Sequence, residues 1–205
     1  PADSQIPELG KGLGRNFNVG ETTSSAYAMA TYSMNDKWSV LGGVRLTNTI
    51  TQVTGKTVEN AIVIDAANTK TYTSVLPMLH VKYSPIDNLN LRFATTRTFA
   101  RPNFGDISPA GSLNTIDGEY AGGNPNLNPT YSWNFDLLGE YFLDEVGIIN
   151  AGVFYKSITD PIFDDTYQGT INGIPNIEIS SPTNGADAWI GGVEMGFTKR
   201  FSFLP

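Results

Sequence analysis

The chain has 205 residues, 40% of them hydrophobic and 16% charged, with 21 glycines, no cysteine and a formal net charge of -7. The hydrophobic share excludes wholesale disorder, and the acidic balance without clustered Lys and Arg excludes sequence-independent nucleic-acid binding. Without thiols there is no disulfide framework, thiolate metal site or cysteine nucleophile.

No apolar run reaches the roughly 18 residues that a membrane-crossing helix needs. The start at Pro1 carries no basic and apolar signal segment, so the chain is mature or a piece of something longer. What the sequence does contain is two-residue alternation. Taken in order, the expected strands are Ser24 to Met34, Trp38 to Thr49, Thr73 to Tyr83, Leu89 to Phe99, Tyr131 to Phe142, Gly147 to Thr159 and Ala188 to Arg200. The second is the clearest. Trp38, Val40, Gly42, Val44 and Leu46 fall on one face of a pleated backbone, and Ser39, Gly43, Arg45 and Thr47 on the other. In the fifth, Tyr131, Trp133, Phe135, Leu137 and Tyr141 oppose Ser132, Asn134, Asp136 and Glu140.

The connections alternate in length. Asn35-Asp36-Lys37, Ser84 to Asn88 and Asp144-Glu145-Val146 read as tight turns. Thr54 to Tyr72, Ala100 to Thr130 and Asp160 to Asp187 read as loops far longer than compact domains use. Short turns on one rim and long loops on the other are the pattern of an up-and-down outer-membrane barrel. The polar faces support this by mixing charge signs, with Arg45, His80, Lys82, Arg92, Asp136, Glu140, Lys156 and Glu194 all turned to one side, as a wet lumen requires. The competing reading is a water-soluble antiparallel sandwich with the apolar faces sealed inside. A sheet edge open to hydrocarbon leaves backbone groups unpaired, so about seven strands imply a larger barrel.

Two stretches carry a family resemblance. Arg97-Thr98-Phe99-Ala100-Arg101-Pro102-Asn103-Phe104, followed by Gly123-Asn124-Pro125-Asn126-Leu127-Asn128-Pro129, resembles the barrel signature of TonB-dependent receptors. Ala26 to Tyr32, Gly42-Gly43-Val44-Arg45, Gly152 to Lys156 and Gly191-Gly192-Val193-Glu194 resemble other strands of those barrels in the same order. The resemblance implies an all-β, antiparallel transmembrane segment of about seven strands from a barrel of the 22-stranded type. Residues 1–205 are then part of that barrel, with a plug domain and the barrel's carboxyl end outside them.

It also implies a non-enzymatic outer-membrane transporter that captures a scarce nutrient such as a siderophore, cobalamin, oligosaccharide or peptide. Its partners are lipid, the ligand and the TonB complex, with no cofactor. A passive porin or adhesin-like barrel, or a secreted carbohydrate-binding domain, is the alternative. Expected ligand contacts are Arg97 and Arg101 at the outer rim, with Asp117, Glu119 and Tyr120 in the following loop. Expected lumen or plug contacts are Arg45, Lys82, Arg92 and Glu140.

Other chemistry is poorly supported. His80 is the lone histidine and has no nucleophile elbow with it. Asp160, Asp164 and Asp165 lack the spacing of a calcium loop. Asp117 with Glu119 lacks a defined separation for glycoside hydrolysis, and Gly122-Gly123 lacks the rest of a phosphate loop.

Overall fold

The computed structural model describes residues 16–59, 62–143 and 147–199, and all regular structure among them is β. Four strands come first: β1 (Phe17–Ser33), β2 (Trp38–Glu59), β3 (Ile62–Ile86) and β4 (Leu89–Ala100). Two short ones follow, β5 (Gly111–Asn114) and β6 (Glu119–Gly122), and then the long β7 (Thr130–Leu143) and β8 (Gly147–Thr159). The hairpin of β9 (Ile162–Ile171) and β10 (Ile174–Asn184) precedes β11 (Ala188–Lys199).

The long strands make one antiparallel meander of seven, ordered β1-β2-β3-β4-β7-β8-β11. β5, β6, β10 and β9 form a separate four-stranded sheet, in which β6 and β10 run parallel. Each strand expected from alternation is present in the meander. Its final residue, Arg200, lies outside the described residues, as does the expected turn at Asp144-Glu145-Val146. The Asn35 turn is explained by its own side chain, whose Oδ1 accepts from the backbone N–H of Lys37 at 2.9 Å and of Trp38 at 3.0 Å.

Register carries the two-sidedness from strand to strand. Val40 lies opposite Val81, Val81 opposite Phe93, Phe93 opposite Leu137, Leu137 opposite Val153 and Val153 opposite Val193. One continuous apolar row therefore crosses six strands. On the reverse face, Asn90, Glu140 and Asn150 are aligned, and so are Thr96, Asn134 and Lys156. The apolar band on β7 runs from Trp133 to Tyr141, roughly 27 Å along the strand and about 20 Å after tilting, close to the height of a barrel's lipid-facing belt.

Among the described residues nothing covers that band. Trp133, Phe135 and Leu137 are 40%, 39% and 52% exposed. A sandwich seals such residues between two sheets, so the soluble reading fails here. The buried hydrophobic residues, Val53, Ile107, Ala110, Leu127, Ile177 and Ile179, lie instead at the loop end of the molecule.

Two expectations about loops are corrected. Within Thr54 to Tyr72 the described residues are ladder and not loop, because β2 and β3 pair continuously out to Glu59 and Ile62. The alternation that marks a strand in lipid fades where one face meets water and the other lies under largely polar loops, but Thr, Val and Ile still favour an extended ladder. Ala100 to Thr130 and Asp160 to Asp187 are not irregular either, since they contribute β5, β6, β9 and β10. The β9–β10 turn uses Asn172 at φ 52° and Gly173 at φ 78°, the left-handed pair of a tight hairpin. At the opposite rim β3 runs on to Ile86, which shortens the expected Ser84 to Asn88 turn.

Candidate loop layer and polar wall

Beyond the apolar band, β1, β2 and β3 continue outward. Their polar face there presents Glu21, Thr51, Val53, Asn68, Lys70 and Tyr72. The segment after β4 folds back over this surface. Its first tie is ionic, with Arg101 Nη1 at 2.8 Å from Glu21 Oε1 and 3.0 Å from Thr23 Oγ1. Ile107 and Leu127 then pack on Val53 to make a small core, with Phe17, Val19 and Ile162 around it.

The Gly-Asn-Pro-Asn-Leu-Asn-Pro run from Gly123 to Pro129 acquires a physical reason. A Cβ on Gly123 would lie 2.5 Å from the Ser108 carbonyl oxygen, so no larger residue fits. Asn124 turns its side chain back to accept from Asn126 N at 3.0 Å and donates to the Pro182 carbonyl at 3.1 Å. Asn68 Nδ2 donates to the Pro125 carbonyl at 2.8 Å. Lys70 Nζ donates to the carbonyls of Asn126 (2.7 Å) and Leu127 (2.6 Å) and to Asn128 Oδ1 (2.9 Å). Asn128 and Asn184 exchange two hydrogen bonds, Asn128 N to Asn184 Oδ1 at 2.8 Å and Asn184 Nδ2 to the Asn128 carbonyl at 3.1 Å. Proline carbonyls and asparagine amides thus join the first long loop to the wall and the two long loops to each other.

The four-stranded sheet has its own two sides. Ile177, Ile179 and Tyr120 share one, and the Tyr120 ring lies against Gly111 and Gly122, where any Cβ would collide with it. Burial pushes the Tyr120 phenol above its ordinary pKa, with Tyr167 adding to the rise and Thr57 opposing it. Burial likewise raises Tyr72 and lowers Lys70, the latter opposed by Asp160. On the other side Glu119 and Glu178 are exposed neighbours across the parallel pair. Residues 102–129 and 160–187 contain several Asp and Glu but no Lys or Arg.

The sequence matches the family model described as TonB dependent receptor-like, beta-barrel, over residues 1–204. The chain belongs to the TonB-dependent receptor barrel family. Solved structures agree in fold. The hemophore receptor HasR of Serratia marcescens superposes with a TM-score of 0.69 at 13% identity, over 88% of this chain and 32% of that one. The copper transporter OprC gives 0.66 at 18% identity, over 90% and 28%. The ferric-catecholate import receptor Fiu of E. coli K12 gives 0.64 at 15%, over 91% and 26%. The chain therefore spans about a quarter to a third of the length of these structures. No curated protein matches the sequence.

In this receptor barrel the expected ligand residues divide. Arg101, Asp117, Glu119 and Tyr120 lie in the loop layer, Asp117 at the β5–β6 turn bonded to Asn114. Arg97 stands apart. It shares the Trp133 face, holds its guanidinium 4.6 Å over the Tyr131 ring and donates to the Val75 carbonyl at 3.2 Å. That is just past Met78 and Thr96, where β3 and β4 cease to pair, so Arg97 and Tyr131 fill the seam between them.

The expected lumen residues share the polar wall. Arg92 Nε and Glu140 Oε2 form an ion pair at 2.7 Å. Arg45 donates to Ser25 Oγ at 3.0 Å and to Thr47 Oγ1 at 3.2 Å. Lys82 and Arg92 line a hollow of about 420 Å³ with His80 and Asp136 near the short turns. Asp164 and Asp165 are successive on β9 and point to opposite faces. Among the described residues no three His, Cys, Asp or Glu groups converge on a metal position.

Lys70, Asn68 and Asn184 escape sequence reasoning, because the first two fall in a stretch that reads as loop. A lysine amid Thr and Asn facing a Pro-Asn-rich segment was the available signal.

Proposed function

We propose that this barrel segment belongs to an outer-membrane receptor that captures a scarce extracellular nutrient and passes it inward through a plugged lumen. The observation that carries the reading is the division of charge across the register. Within the lipid-height band, Arg45, His80, Lys82, Arg92, Asp136, Glu140, Lys156 and Glu194 all share the face opposite the apolar row. A wall that is hydrocarbon on one side and mixed-charge on the other suits a lumen filled by water or a polar plug. TonB and the plug engage the receptor as a whole, and Arg45, Lys82, Arg92 and Glu140 supply the wall's contacts to the plug.

The loop layer is the capture surface, with Arg101, Asp117, Glu119 and Tyr120 its candidate contacts. Residues 102–129 and 160–187 bring carboxylates and no Lys or Arg, and Arg101 at the base of the first loop is already paired with Glu21, so the surface favours a neutral or cationic nutrient over a polyanionic chelate. Deleting the gene and scoring growth on single nutrients tests the import function. Growth unchanged on every nutrient would sink it. Alanine at Arg101, Asp117, Glu119 and Tyr120 should then weaken binding of the nutrient so identified, and unaltered affinity would remove the capture role from these side chains.

A further inference from the structure

We propose that the two long loops move as a single lid over the polar wall and that Lys70 is the catch that holds it down. The word lid rests on the receptor reading above; the catch itself rests on geometry. Lys70 belongs to β3, hence to the wall, yet all three of its ammonium hydrogens have acceptors in the lid, on the successive residues Asn126, Leu127 and Asn128. Bonds from an ionised donor are roughly twice as strong as neutral ones. Asn68 adds one neutral bond beside them.

The lid behaves as one body because its halves are stitched at several points. Asn128 and Asn184 bond reciprocally, Asn124 donates to the Pro182 carbonyl, Glu178 N donates to the Gly118 carbonyl at 2.8 Å, and β6 pairs with β10. The space left between lid and wall, bounded by Lys70, Tyr72, Arg101, Pro102, Pro125 and Leu127, is about 20 Å³, room for one water. No nutrient fits in that space while the lid is down. To reach this part of the wall a nutrient must lift both loops. Lifting breaks the three bonds at Lys70 together with the Asn68 bond and the Val53–Leu127 contact, while Arg101, paired with Glu21, stays at the base of the first loop.

Hydrogen exchange on the full-length receptor in detergent tests this. Lys70→Met should speed exchange at residues 105–129 and 162–184 together, by roughly tenfold or more, while 130–143 and 147–159 stay as in the parent. Asn184→Ala should speed exchange at 162–184 alone, since Lys70 still holds the first loop. Acceleration confined to one loop in Lys70→Met, or none, overturns the catch. Acceleration of β7 and β8 as well also overturns it, by showing that Lys70 supports the wall itself. No nutrient enters this measurement, so its outcome bears on the catch alone, and the growth assay bears on the receptor.

Discussion

Leu127 is 1% exposed and lies on Val53 and Ile107, one of few fully buried side chains among the described residues. Leu127→Ala should cost the loop layer about 2 to 5 kcal/mol, read as faster local exchange over residues 105–129 in the full-length receptor. Tyr72 and Tyr120 add a pH dependence. Burial raises both phenols, so below their ordinary value folded and open loops are equally protonated and stability is intact. As pH rises past that value the open loops ionise first, and the closed layer loses stability until pH passes the raised values too. An alkaline titration of tyrosinate absorbance should show late-titrating phenols, one of them lost in Tyr120→Phe. If Tyr120→Phe leaves the curve unchanged, burial does not govern that phenol.

At the scale of strands, the sequence disclosed what the bilayer imposes and concealed what water permits. Trp38 to Leu46 and Trp133 to Tyr141 were legible because lipid on one side and a wet interior on the other force strict alternation. Past Thr49 in β2 that pressure ends, and a continuous ladder reads as loop. The candidate site suffered in the same way. The Gly123 to Pro129 run was recognisable as a motif, but its partner Lys70 lay in the part of β3 with no alternation to announce it. The surroundings of Arg97 were hidden for a different reason: parity assigns its Cα to the apolar face, and only the ending of the β3–β4 ladder explains why a cation is accommodated there.

The strand faces make a quantitative prediction. Val153→Arg, in the apolar row, should destabilise the barrel by about 2 to 4 kcal/mol, whereas Lys156→Gln on the other face should change stability by about 0.5 kcal/mol or less. Reversible unfolding in lipid vesicles measures both. Equal costs would mean that the two faces do not meet different media.

For the molecule as a whole, β1 and β11 each pair on one side only among the described residues, which leaves two ladder edges open, as in a segment of a larger barrel. Charge is arranged by height as well as by face: the outer sheet is anionic, while the wall below balances Arg92 against Glu140. The three tryptophans mark height too. Trp38 stacks on Tyr83 beside the short turns, and Trp133 and Trp189 flank Phe135 and Tyr155 toward the loops, all on the outward face. Indole rings so placed are a built-in depth gauge. In full-length variants keeping only these three, lipids brominated high on the acyl chain should quench fluorescence more than lipids brominated near the chain's end, because the emitters bracket the bilayer's centre and avoid it.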